Sequence, residues 1–380
     1  MICNIISLVL LVILGIPSLY LFVFALASRF AGKAKTATGA RNRRFVVLIP
    51  AYKSDGFIAD TARAAADQDY PRERYRVLVI SDSMSAQTVA DLPQTGAEVL
   101  EVCFERSTKA KSLQKAMEYL GPDAADNVVI LDSDNIVEND FLSRLDDVLS
   151  AGAEAVQAHR CAKNTDTPVA VIDAVSEEIN NSIFRKGHCA LGLSSALVGS
   201  GMAFPYEWFY DSVKSLATSG EDKEMELALL VEGIFVHYAE DIPVKDEKTR
   251  TAENYGKQRR RWMATPLHLA AQASGGFRQA KFKAGYADKL FQWLLPPRMI
   301  HLCLLPIMAL VVSLLGWSGA VLWWTAFAML LAALLISLPQ QLRGKKLLNA
   351  LASVPRLALL TFANIFKLKE TKDFIHTDHQ

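Results

Sequence analysis

Several things are scarce in this chain of 380 residues, and each scarcity narrows its role. Lys and Arg total 41 against 40 Asp and Glu, a formal charge of +1, so there is no charge excess to recruit nucleic acid and no nucleic-acid partner is expected. Cysteines are few and unpatterned. Cys3, Cys103, Cys161, Cys189 and Cys303 are odd in number and hold no CxxC pair, which argues against a zinc site or a disulfide framework and for reduced thiols in a cytosol-facing protein. From about Arg41 to Lys289 there is no internal repeat, low-complexity tract or Gly/Ser linker, so that stretch reads as one domain.

Charge is absent altogether from Ile2 to Ser28, and such a run is long enough to cross a bilayer as a helix. Ala25-Leu26-Ala27 resembles a signal cleavage site, but no Lys or Arg precedes the run and it is longer than a signal core. Arg29, Lys33, Lys35, Arg41, Arg43 and Arg44 follow it, which places that side in the cytosol and the amino terminus outside. Met299–Gly316 and Val321–Leu338 read as a helical hairpin joined near Trp317 and Ser318. The stretch 347–366 carries Asn349, Arg356 and Asn364 and reads as an interfacial or additional membrane helix. The expected organisation is a transmembrane helix at 1–28, a cytosolic domain at 41–290, a transmembrane hairpin at 299–338 and the membrane helix at 347–366. That makes a multi-pass protein of the cell (inner) membrane with the lipid bilayer as a partner.

Within the middle, strand-like and helical patterns alternate. Phe45–Ile49 is a β-rich run stopped by Pro50. A helix is expected from about Phe57 to Gln68, then strands at Arg76–Ile80 and Ala97–Val102. A helix at Lys109–Leu120 follows, with Leu113, Ala116, Met117 and Leu120 on one face, and Val128–Leu131 is a fourth strand. That rhythm predicts an α/β fold, a Rossmann-like, mostly parallel sheet flanked by helices. Ligands of such sheets sit beyond the carboxyl ends of strands, where Pro50, Ala51, Tyr52, Asp82 and Asp132 fall.

The paired carboxylates of Asp132-Ser133-Asp134 suit a divalent cation that carries a phosphorylated ligand. A strand followed by Asp-x-Asp also opens haloacid-dehalogenase-type phosphatases, with the first Asp as nucleophile, and it occurs in plain surface turns. Context separates these readings. Ile49-Pro50-Ala51-Tyr52, Asp82, Asp132-Ser133-Asp134, Gly220-Glu221-Asp222 and Gln258-Arg259-Arg260-Arg261-Trp262 occur in that order. Together, over about Phe45 to Met263, they resemble the signature of membrane-bound family 2 glycosyltransferases of GT-A fold, the group of cellulose, hyaluronan and poly-N-acetylglucosamine synthases.

The resemblance implies an inverting hexosyltransferase that moves a sugar from a UDP-sugar to an acceptor hydroxyl at the cytosolic membrane face. Its product would be a β-linked polysaccharide or a glycolipid. It places Asp134, with Asp132, on Mg²⁺ or Mn²⁺, and Asp82 on the uracil or ribose. Ala51 and Tyr52 would shape the base pocket, and Lys109 would lie near the nucleotide. Gln258 and Arg261 would hold the diphosphate, because an Arg fork matches phosphate oxygens. Gly201, Glu221 and Trp262 fall on the acceptor side. Asp222 would be the base, taking the acceptor's proton as it attacks the anomeric carbon. The partners implied are a UDP-sugar, a glycan or lipid-linked acceptor and subunits of a synthase complex, in which a non-catalytic nucleotide-sugar-binding role is the alternative. Plainer readings stand beside these roles: a turn aromatic at Tyr52, a solvated helix face at Lys109, a tight loop at Gly199–Phe204, packing at Trp262. For Glu221-Asp222 the plain reading is an acidic helix start capped by Ser219. Two departures from the family pattern are visible. Lys53-Ser54-Asp55 replaces a common Asn-Glu, and no second Asp follows Asp82.

Overall fold

The computed structural model describes residues 2–38, 40–218, 220–316 and 319–366, so Ser219 and the expected linker at Trp317 and Ser318 lie outside the described residues. The centre is a sheet of β1 (Phe45–Tyr52), β2 (Tyr75–Asp82), β3 (Glu98–Val102), β4 (Asn127–Ile130), β5 (Ile136–Val137), β6 (Ala155–Ala162), β7 (Met202–Pro205) and β8 (Val236–Asp246). Among the described residues the strand order is β3-β2-β1-β4-β7-β6-β8-β5. β3, β2, β1 and β4 run parallel, and β7 is antiparallel to β4 and to β6. β8 pairs parallel with β6, and the two-residue β5 closes the edge antiparallel.

The four strands expected from apolar runs are present; β5 to β8 lie beyond that reading. Pro50 does not stop β1, which continues to Tyr52 opposite Asp82 of β2. The reason is the pairing. The ladder to β4 ends at Leu48 and Ile130, and the Leu48 carbonyl accepts from the Leu131 amide. By the alternation of a parallel ladder, Pro50 turns its nitrogen toward the side where β4 has ended, so no ladder bond is lost.

Side-chain alternation splits the core into two layers. Phe45, Val47 and Ile49 face the helices Ile58–Ala66 and Phe141–Ser150, while Val46 and Leu48 face the helices Lys109–Leu120 and Tyr206–Ser212. Burial on both faces is why β1 and β4 read as unbroken apolar runs. A third cluster joins the N-terminal helix Ile2–Phe30 to Arg298–Leu314 and Ala320–Ser337, and it takes in Ile179 and Ile183 of the central domain.

Among the described residues two helices are long and apolar enough to cross a membrane, at Ile5–Phe30 (mean hydropathy 2.6) and Ala320–Ser337 (2.1). The expected straight span at Met299–Gly316 differs. Its helix is 17 residues and reaches spanning length only together with Lys283–Leu294, from which it is bent by 71°. Pro296 and Pro297 between the two explain the break. The stretch 347–366 is likewise split, into Lys345–Leu351 and Val354–Phe366 with a 49° bend, and Pro355 falls in the first turn of the second piece.

Between the sheet and the helix Pro168–Asn180 lies a buried ionic core centred on Glu177, which is 3% exposed. Arg160 of β6 donates to one of its oxygens and Arg185 to the other, both at 2.8 Å, and Lys248 stands 3.8 Å away. Burial alone would raise this carboxyl, but the three cations outweigh it and hold Glu177 well below the usual carboxylate range. Removing one member of a buried network leaves the others as uncompensated charges, at a cost of about 3–5 kcal/mol. Glu177→Ala is therefore expected to lower the melting temperature of the detergent-solubilised chain by roughly 10 °C. A melting curve that overlays wild type would show that the two arginines find water instead.

Candidate active site

Beyond the carboxyl ends of the parallel strands opens a cavity of about 800 Å³. Ala51 and Tyr52 end β1, Asp82 ends β2, and Asp132 and Asp134 lie in the turn after β4; all line it. Lys109 opens the helix Lys109–Leu120, Glu221 and Asp222 open Glu221–Glu232, and Gln258, Arg261 and Trp262 lie along Ala252–Gln272; these line it too. Nine carboxylates and six cationic side chains share the lining, so the bare cavity is an unfavourable host for a naked diphosphate.

The strand ends are held open by tight turns. Lys53 and Ser83, each directly after its strand, have φ of 50° and 57°, the left-handed region that non-glycine residues seldom adopt. Asp82 is buried. Ser83 donates to its Oδ1 at 2.9 Å, while its Oδ2 has no hydrogen-bond partner. A buried carboxylate oxygen without a donor is costly unless a ligand N–H or O–H meets it.

Lys109 gathers the acidic residues. Its ammonium ion donates to Asp132 in a short contact and to the Gly199 carbonyl at 2.6 Å, and it lies 3.7 Å from Glu221. Burial would depress its pKa, but Asp132 and Glu221 outweigh that and raise it. Glu221 is pushed up to about 7, chiefly by burial, with Asp222 and Asp132 adding to the rise against the pull of Lys109. Asp222 accepts from the Lys223 amide at 2.9 Å, and the Lys223 ammonium lies 3.4 Å from its other oxygen.

The acidic helix start can be followed from Gly220 onward, the expected cap Ser219 lying outside the described residues. Gly220 is the capping residue and offers no side chain; Glu224 reaches back instead, accepting from the amides of Ala217 (3.0 Å) and Thr218 (2.7 Å). Gly220 is there for closeness, since a Cβ at that position would lie 2.1 Å from Cγ2 of Thr265. The helix that starts with Glu221-Asp222 is thereby pressed onto the helix of Arg261 and Trp262. On that second helix, Gln258 has a buried Oε1 without a partner. The Trp262 ring is flanked by the guanidinium groups of Arg259 at 4.7 Å and Arg160 at 5.8 Å.

Asp134 is the most deeply placed of the paired aspartates, 6% exposed, with Asn135 donating to it at 3.2 Å. Burial first, then Asp246 and Asp132, raise its carboxyl well above the ordinary range, and Arg160 opposes this only in part. Among the described residues no three His, Cys, Asp or Glu side chains cluster as a protein-only metal site. One or two carboxylates that would gain from a nearby cation do fit Mg²⁺ or Mn²⁺ arriving with phosphate and water as its other ligands.

The family model described as "Glycosyltransferase like family 2" matches residues 42–265. The chain belongs to that family. No curated protein matches it in sequence. Among solved structures it is similar to the mannosyltransferase PcManGT from Pyrobaculum calidifontis in complex with GDP-Man and Mn²⁺, at 18% identity over 88% of this chain and 98% of that one, TM-score 0.56. It also matches S. aureus TarS 1-349 in complex with UDP-GlcNAc, at 14% identity over 86% of this chain and 91% of that one, TM-score 0.44. The first of these shows the fold, and the curled mixed sheet with flanking helices is a GT-A-type architecture. Family membership sets aside the phosphatase reading of Asp132-Ser133-Asp134.

In this glycosyltransferase one expected acceptor residue stands apart. Gly201 does not line the cavity. Its amide donates to Ile130 at 2.8 Å, its carbonyl accepts from Ala158 at 2.7 Å, and a Cβ would meet Val244 at 3.0 Å, so it stitches the sheet. Gly199 is the glycine of that segment that faces the cavity. Residues absent from the sequence reading also line it, among them Arg160, Arg185, Lys223 and Asp246. Asp246 ends β8, the same strand-terminal signal that marks Asp82, and it becomes visible once β8 is recognised.

The raised Glu221 carboxyl gives stability a pH slope. Between its ordinary value near 4.5 and about 7 the unfolded chain releases a proton that the folded chain keeps, so stability falls as pH rises through that window. Glu221→Gln should flatten that slope in part, leaving the share that the raised Asp134 carboxyl contributes, in melting temperatures recorded without nucleotide from pH 4.5 to 7.5. A variant that tracks wild type across the window would mean that Glu221 is already ionised in the fold.

Proposed function

We propose that this glycosyltransferase moves a sugar from a UDP-sugar to an acceptor hydroxyl with inversion, giving a β-linked glycan or glycolipid. It would work at the cytosolic face of a membrane, in the manner of the cellulose and hyaluronan synthase-type enzymes. The anchoring would come from 1–28, 299–338 and 347–366, with the catalytic domain at 41–290. The observation that carries the reading is convergence. Asp82, Asp132-Asp134, Glu221-Asp222 and Gln258-Arg261-Trp262 lie far apart in sequence and line one cavity.

In this reading the unpartnered Oδ2 of Asp82 accepts an N–H from the base, a contact that uracil or guanine offers. Asp134, assisted by Asp132, holds Mg²⁺ or Mn²⁺, which when bound neutralises the diphosphate and makes it a better leaving group. Lys109 and Arg261 add fixed positive charge from two helices, and Gln258 lines the same cavity, where its side-chain N–H groups can donate to phosphate oxygens. Trp262, held near the guanidinium groups of Arg160 and Arg259, lines the cavity and gives a flat wall for a sugar face. Asp222 takes the proton of the acceptor hydroxyl as its oxygen attacks the anomeric carbon opposite the departing diphosphate. Glu221, on Lys109, keeps a hydrogen-bonding carboxyl beside that acceptor.

Nucleotide release measured against a panel of UDP- and GDP-sugars, with Mn²⁺ or Mg²⁺, tests the reading. GDP donors belong in it because the PcManGT structure holds GDP-Man and Mn²⁺. Asp222→Asn is expected to bind nucleotide normally and to lose at least about 100-fold in turnover, in line with removal of a general base. Normal turnover in that variant would mean the base lies elsewhere. Asp134→Ala should abolish the dependence of nucleotide affinity on divalent cation, and an unchanged dependence would remove the metal assignment.

A further inference from the structure

The segment Asn181–Gly187 is π-helical, set between the helix Pro168–Asn180 and the short turn at His188–Ala190. π turns are rare and persist where their surroundings fix them. This one supplies Phe184 and Arg185 to the cavity wall. Phe184 also packs into the apolar cluster of the N-terminal and C-terminal helices, so this wall adjoins those helices.

The outer side of the π turn is fixed by the N-terminal helix. A Cβ on Gly187 would lie 2.2 Å from the Phe24 carbonyl oxygen, so the two backbones are in contact. His188, fully buried, stacks on Phe24 at 3.7 Å and 10°. Its Nδ1 faces the Ile183 carbonyl within the π turn at 2.6 Å, and its Nε2 lies 2.8 Å from the Tyr20 hydroxyl. That hydroxyl donates to Asp288 at 2.7 Å, and the other Asp288 oxygen accepts from the Gln292 amide at 2.8 Å. Gln292 and Trp293 line the cavity. One hydroxyl of the N-terminal helix therefore ties together the π turn and the helix Lys283–Leu294, the two elements that build this wall.

We propose that Tyr20, His188 and Asp288 form a positioning bridge through which the N-terminal helix sets the cavity wall made by Phe184, Gln292 and Trp293. These three are positioning residues and act through the wall. The inference rests on the glycosyl-transfer reading only in taking this wall as the acceptor side, since the strand ends and their aspartates face the donor. The N-terminal helix is then a component of the site as well as an anchor.

The test uses the full chain in detergent, labelled with 5-fluorotryptophan, with Trp293 assigned through Trp293→Phe. Tyr20→Phe removes only the hydroxyl and keeps the ring packing on Phe24 and Phe291. It is expected to shift the ¹⁹F resonance of Trp293 by more than its linewidth and to leave that of Trp208, buried against Phe204 in the sheet core, in place. UDP affinity should change by less than about twofold. Gly187→Ala, which forces the two backbones apart, should move Trp293 further in the same direction. With a donor found by the release panel, the loss in Tyr20→Phe should fall on the acceptor KM, roughly fivefold or more, and spare the donor KM. An unmoved Trp293 signal in both variants, or one that moves together with Trp208, overturns the bridge. A wild-type chain that fails to bind UDP or GDP instead sinks the glycosyl-transfer reading and leaves the ¹⁹F result to decide the bridge.

Discussion

Glu177 is the point on which the site hangs. Its carboxylate lies at the seam of three elements: β6 through Arg160, the π turn through Arg185, and the segment after β8 through Lys248. Arg160 stands 3.7 Å from Asp246, and Lys248 donates to Asp246 at 2.7 Å, so the same network fixes the acid that faces Asp134. In a low-dielectric seam such charges attract strongly but were expensive to desolvate, and only a complete set of partners makes the arrangement tolerable. The result is a stiff floor beneath the cavity, from which Trp262 is also braced by Arg160.

Above that floor the electrostatics are deliberately unbalanced. Asp134 is buried among carboxylates, Glu221 keeps its proton to about 7, and Asp82 presents an oxygen with no donor. Each is a local cost that a folded protein bears at a site where a charged ligand with its counter-ion completes the set. The cations facing them come from separate elements, Lys109 from one helix and Arg261 from another, so neither local segment suffices alone.

Much of this was legible in the sequence because the first half of the sheet is written in plain local code. The runs at β1, β2 and β4 are apolar on both faces, and the Lys109–Leu120 helix appears with its expected bounds. Carboxylates at the ends of those strands follow from the architecture itself. The second half was illegible for physical reasons. β6 carries Gln157, His159 and Arg160 because each meets a polar partner, Gln157 the backbone of Val198 and Ser200, His159 the Tyr238 hydroxyl and Arg160 the Glu177 carboxylate, so it lacks the apolar signature of a strand. β7 has four residues and β5 two, too short for any period to show. The family resemblance puts Gly201 on the acceptor side, but a glycine that serves a ligand and one that serves strand contact look alike until neighbours are known. The π turn leaves no local signal, and the backbone it lies against, at Phe24, is more than 150 residues earlier in the chain.

The contact between Gly220 and Thr265 has a consequence for how this chain can vary. The residue before the acidic pair and the residue three beyond Trp262 compete for one small volume. A side chain at the first position is admissible only if the second shrinks, and a bulkier second position demands that the first remain bare. Among close relatives the two sites should therefore drift as a coupled pair. A bulkier side chain at either position alone would splay the helices that carry Asp222 and Arg261.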